Sequence, residues 1–170
     1  MDLLRDLDRR IAYGVVGGTF AGLLFLLANM WYADSQGLPA VAPLYDISTI
    51  FYFADKPDPQ PVNAAVGLIV HLTLSGAFGA ALAVLAPLAK GAARLVGMGA
   101  AFGILLYLVN FQFLGRVVFE WFQEGPNQTF EVFAHLGYGL LVAPFLIRFA
   151  PTTAEQHKAS RTGAARPAAT

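Results

Sequence analysis

The chain has 170 residues, of which 56% are hydrophobic and 13% charged, with a mean hydropathy of +0.57 and a formal net charge of zero. Soluble domains carry about 25% charged residues, so a water-soluble globule is excluded. Cysteine is absent, which removes disulfides, thiolate metal ligands, cysteine nucleophiles and c-type haem attachment from consideration.

A bilayer crossing takes about 20 apolar residues, so the length predicts one membrane domain of four spans with short connections. Met1 to Arg10 form a charged segment in which Asp2 and Arg5, Asp6 and Arg9, and Asp6 and Arg10 stand at helical spacings. It extends the first span, at about 11–33. That apolar stretch is too long for the core of a cleaved signal, about 7 to 15 residues, and is read as a retained helix. Gly14, Gly18 and Gly22 recur on one of its faces, a small-residue ladder suited to close helix approach within the bundle or in a homodimer. Residues 34–61 form the longest connection, punctuated by Pro39, Pro43, Pro57, Pro59 and Pro61, which stop any helix. Within it Val41 to Ala54 is an apolar and aromatic stretch of 14 residues, too short to span and suited to lying at the interface or as a lid over the bundle mouth. The remaining spans are placed at about 62–88, 92–118 and 128–150. Residues 151–170 lack apolar periodicity and are expected to form a disordered cytoplasmic tail.

Topology follows from the basic residues. With the amino terminus inside, the cytoplasmic side carries Arg5, Arg9, Arg10, Lys90, Arg94, Arg148, Lys158, Arg161 and Arg166, and the outer side only Lys56 and Arg116. Nine against two is a positive-inside pattern. The acids divide the other way, seven outside and four inside, so the zero total conceals an oriented molecule. The expected location is a bacterial cytoplasmic (inner) membrane, with both termini cytoplasmic.

Polar groups inside a bilayer are costly and each is a functional-site candidate. Counted from the outer side, His71 in the second span and His135 in the fourth lie at matching depths of roughly 10 to 14 Å. Asn110 falls in the same layer, with Asn29 and Gln112 nearer the surface. In the second span Gly67, His71, Ser75, Gly79 and Ala83 share a face, and in the fourth Glu131, His135, Gly139 and Ala143 do. The room beside each imidazole suits either a planar cofactor or the backbone of another helix. Gln112, Arg116 and Glu120 form a polar stripe on the third span, with Arg116 and Glu120 spaced as an ion pair. Glu131 stands four residues before His135 and is placed to orient its ring and set its tautomer, with Tyr138 on a neighbouring part of that face.

Phosphate loops, His-Glu-x-x-His pairs, nucleophile elbows and basic aromatic nucleic-acid surfaces are all missing from the sequence. The run Asn110-Phe-Gln-Phe-Leu-Gly-Arg116, then Gly125-Pro-Asn-Gln128, Phe130-Glu131 and His135, preceded by His71 and by Ile47-Ser48-Thr49, resembles uncharacterised small four-helix membrane proteins of bacteria. The likeness spans Asp46 to Pro144 and implies a fold and a membrane but no chemistry. Three functions compete. The first is a non-enzymatic accessory or packing subunit, in the lipid bilayer alone, as a homo-oligomer or within a larger complex. The second is an electron carrier with His71 and His135 as axial ligands of a b-type haem. The third is a small transporter or metal site using His71, His135, Glu131 and Glu120.

Overall fold

A computed structural model describes residues 6–150, and among them the chain is all-α with no strand. The expected pairs within 1–5 and the expected tail at 151–170 lie outside the described residues. Four helices are long and apolar enough to cross a membrane: Leu7–Ser35, Pro61–Leu88, Ala92–Val117 and Gln128–Phe149. Only 28 to 39% of the most apolar window of each is buried, and residues such as Phe20, Leu27, Trp31, Ile69, Leu105 and Phe133 are exposed. An apolar surface of that extent requires an apolar solvent. The protein is an all-α, multi-pass membrane protein.

Helix α1 (Leu7–Ser35) is followed by α2 (Ala42–Tyr52), α3 (Pro61–Leu85, closed by a 3-10 turn at Ala86–Leu88) and α4 (Ala92–Tyr107). Short α5 (Trp121–Glu124) precedes α6 (Gln128–Leu146), which ends in a 3-10 turn at Ile147–Phe149. The boundaries have local causes. Proline occupies the first turn of α2 and of α3, where its missing N–H costs nothing. Gly91 starts α4 at φ +100°, a conformation closed to most side chains. Asn127 caps α6 by accepting from the Phe130 N–H at 3.0 Å. Contrary to the expectation that proline stops any helix in 34–61, Ala42–Tyr52 of the apolar stretch form α2, because Pro43 falls in its first turn, and α2 lies against α3 and also touches α1.

The most extensive contacts run α3–α1–α6–α4. They form where side chains are missing. Gly14 and Gly18 meet Gly79 and the Ser75 carbonyl, so a Cβ at Gly79 would stand 2.7 Å from Gly18 Cα. Gly99 faces the Gly139 carbonyl, Gly103 the His135 carbonyl, and Gly67 the carbonyl of Leu44 on α2. The glycine ladder of the first helix therefore serves packing within the chain, and the room on the histidine faces is filled by other backbones. Lacking a hydrophobic drive between helices in lipid, this closeness supplies dispersion contacts instead. Between the ladders Leu82, Leu95, Val142, Ala143 and Leu146 form a fully buried core near the end opposite α2.

The third span departs from a uniform helix. After Tyr107 the backbone runs as π-helix over Leu108–Leu114, then one α-turn at Gly115–Val117. The expected Arg116–Glu120 ion pair does not form. The helix stops at Val117, so the four-residue register is lost, and Arg116 donates instead to Gln112 Oε1 at 2.9 Å. Among the described residues the ion pairs are Arg9–Asp6 and Glu131–His135.

Candidate functional site

At the α2 end the helices part around a cavity of about 870 Å³, walled by α1, α3, α6 and the π segment and covered by α2 and the connection at 119–127. His135 sits on its floor. The ring Nδ1–H donates to the Glu131 carbonyl at 2.8 Å, one helical turn back, while the Glu131 carboxylate lies 3.5 Å away. The tautomer is thus set by the main chain of Glu131, with the carboxylate only a secondary contact. The reason is geometric: the carbonyl four residues back lies directly beneath the ring. With Nδ1 protonated, Nε2 presents a lone pair in the neutral ring, and among the described residues nothing donates to it. Both side chains line the cavity with exposures of only 7% and 6%.

His71 is used differently. Its Nε2–H donates to the Gly22 carbonyl of α1 at 2.8 Å, with Ser75 Oγ at 3.5 Å. The approach is open because Gly22 has no side chain. Phe25 contacts both imidazoles, stacking on His71 at 5.6 Å between centroids and meeting His135 edge-on at 4.9 Å. Phe111 and Tyr107 complete an aromatic collar around His135 at 5.5 and 6.0 Å. Tyr138 donates to the Ser75 carbonyl at 2.6 Å, which ties α6 to α3 and holds the two histidine faces toward one space.

Of the residues expected to cluster, Asn29, His71, Asn110, Glu131, His135 and Tyr138 line the cavity. Asn29 also donates to the Phe25 carbonyl at 3.2 Å. Gln112 and Arg116 belong to a separate chain of hydrogen bonds. Arg116 donates to Gln112, Gln112 to Tyr107 at 2.7 Å, Tyr107 to Gln128 at 3.1 Å, and Gln128 to the Phe122 carbonyl at 2.8 Å. This chain fastens the π segment to the start of α6, and Tyr107 is its link to the cavity floor. Glu120 is exposed and lies outside the cavity. The π geometry has a local role as well: the wider turn presents Asn110 and Phe111 to the cavity, and π segments recur at functional sites.

Asp46 is the residue that the pattern of spans does not reveal. It lines the cavity from α2, and burial pushes its carboxyl up to about 6. It was legible as the lone charge in the apolar run from Val41 to Ala54. Phe25 had no such signal, since in sequence it is indistinguishable from lipid-facing Phe20.

The geometry bears on two cofactor readings. A porphyrin between His71 and His135 would have to displace Phe25 from both rings and take His71 Nε2 from Gly22, so the imidazoles do not fit axial haem ligation as they stand. Among the described residues no group of three or more His, Asp or Glu side chains converges to hold a metal ion. Compared with family models, curated proteins and solved structures, the chain matches none.

Proposed function

We propose that this chain is a non-enzymatic integral membrane subunit that binds a small amphipathic molecule in the cavity at its α2 end. The observation that carries the reading is the combination of an 870 Å³ space with a buried, hydrogen-bond-competent floor. Small-molecule sites have volumes of about 300 to 1,000 Å³, apolar walls and a few placed polar groups. The nine-to-two bias in basic residues supports a bacterial inner membrane with cytoplasmic termini, so that α2 and the cavity face outward.

Equilibrium binding to the protein in phosphatidylcholine nanodiscs, corrected with empty nanodiscs, tests this. Three probes of similar size serve: tetraphenylphosphonium, tetraphenylborate and neutral triphenylphosphine oxide. At least one binds saturably at one per protein, and Asn110→Trp or Ile47→Trp, each filling the cavity, weakens it at least tenfold. Purely linear partitioning of all three, or binding indifferent to both substitutions, overturns the reading.

A further inference from the structure

We infer that the ligand is a hydrophobic organic cation, a protonated amine or quaternary ammonium, held by carboxylates and aromatic faces. The inference rests on the binding role just proposed and adds the charge of the occupant.

Among the described residues the cavity lining contains three acids, Asp46, Glu124 and Glu131, and no lysine or arginine. Asp46 and Glu131 enter the lining from different elements, α2 and α6. Carboxyl groups facing one apolar space, with no basic side chain beside them, oppose an anion, whereas a bound cation stabilises their ionised forms and is held by them. Both imidazoles add acceptors to this lining: the bonds to Glu131 and Gly22 consume one N–H each, leaving His135 Nε2 and His71 Nδ1 as lone pairs in the neutral rings.

The walls point the same way. Phe25, Phe111, Phe119 and Phe122 all line the space, and Phe111 and Phe122 meet edge-to-face at 5.3 Å with Phe119 and Phe122 at 5.9 Å. Rings inclined at 88° and 67° leave faces turned in different directions, and the negative quadrupole of a face attracts a diffuse positive charge. A compact metal ion needs several converging ligands, which the described residues do not supply here. A large organic cation needs none. It asks only for carboxyl groups and aromatic rings on the walls of an apolar space large enough to admit it, and all three are present. A protonated amine could in addition donate its N–H to His135 Nε2, a contact that a quaternary ammonium lacks.

The three-probe titration separates this inference from the reading beneath it. Tetraphenylphosphonium is expected to bind saturably and at least tenfold tighter than tetraphenylborate, its anionic near-isostere. Glu131→Gln and Asp46→Asn each weaken the cation about tenfold more than they weaken triphenylphosphine oxide. Asp46→Asn, half-buried on α2, keeps the test open should the buried Glu131→Gln variant fail to fold. Saturable binding of the anion or the neutral probe, lost on Asn110→Trp, with no preference for the cation, overturns the charge assignment while the binding site stands. Absence of saturable binding by any probe removes both.

Discussion

The two ends of the bundle solve helix packing in opposite ways. Away from α2, α1 meets α3 through Gly14, Gly18 and Gly79, and α4 meets α6 through Gly99 and Gly139, with no space for an added methyl group. Toward α2 the same spans carry Phe25, His71, Asn110 and His135, whose side chains line a cavity. At the first end every one of these crossings closes backbone to backbone, whereas at the second Gly103 and Gly67 still hold α4 on α6 and α2 on α3 while aromatic side chains and hydrogen bonds to main-chain carbonyls line the space left between those pairs. The contrast teaches that the closed end fixes the helix axes and the open end inherits its shape from them.

The strongest way to break this contrast is at the closed end. Gly79→Leu would force α1 and α3 apart by overlap with Gly14 and Gly18, a cost of roughly 3 kcal/mol or more. The expected result is loss of the monodisperse species on size exclusion in mild detergent; an unchanged elution and thermal midpoint would show that the contact does not set the fold.

At the open end the leading effect is on pH. Burial raises the Asp46 carboxyl from 3.8 to about 6, so the ionised form that attracts a cation is present above that value and lost as pH falls through it. A permanently charged probe should therefore bind about tenfold more weakly at pH 5 than at pH 7.5. Glu124, Glu131, His71 and His135 face the same space, so the variant Asp46→Asn isolates the part due to Asp46: it should flatten most of the profile, and a profile left intact would assign the dependence to those neighbours. The sign for stability is the reverse. A raised folded-state value means that Asp46 favours folding most below about pH 4, and that this contribution declines up to about pH 6.

A smaller effect sharpens the link between the two ends. Tyr138→Phe removes the hydrogen bond to the Ser75 carbonyl, worth about 1 kcal/mol, and should lower the thermal midpoint by a few degrees while Tyr138→Trp does more. The smallest expected change tests glycine against glycine on one helix. Nothing lies within 4 Å of a Cβ at Gly97, whereas one at Gly99 would meet the Gly139 carbonyl. Gly97→Ala should stabilise α4 by about 0.5 kcal/mol through reduced chain entropy, and Gly99→Ala should destabilise it; equal responses in thermal melts would contradict the assignment of closed and open faces.

Much of the architecture is legible in the residues. Apolar runs of bilayer length define four spans, but the expectation that the prolines of 34–61 stop any helix fails at α2, where Pro43 sits in the first turn and the next proline is Pro57. Four-residue glycine steps mark the faces that approach. The polar layer is only partly legible. His71, His135, Glu131 and Asn110 share depth and share a cavity, yet Gln112 and Arg116 join a different network because the π segment rotates them away from the face expected of an α-helix. Glu120 falls beyond the helix end for the same reason. A periodicity of 3.6 cannot anticipate a local change of period.

Composition and pattern by themselves determined the solvent, the number of spans and the small-residue faces, since hydropathy and i, i+4 spacing are local properties of the chain. Tertiary structure alone decided which backbones fill the space beside each histidine, that Phe25 stands against both rings, and that Asp46 closes the cavity from a segment outside the spans. Those are contacts between residues up to more than a hundred positions apart, set by how the glycine crossings orient whole helices, and no local pattern encodes them.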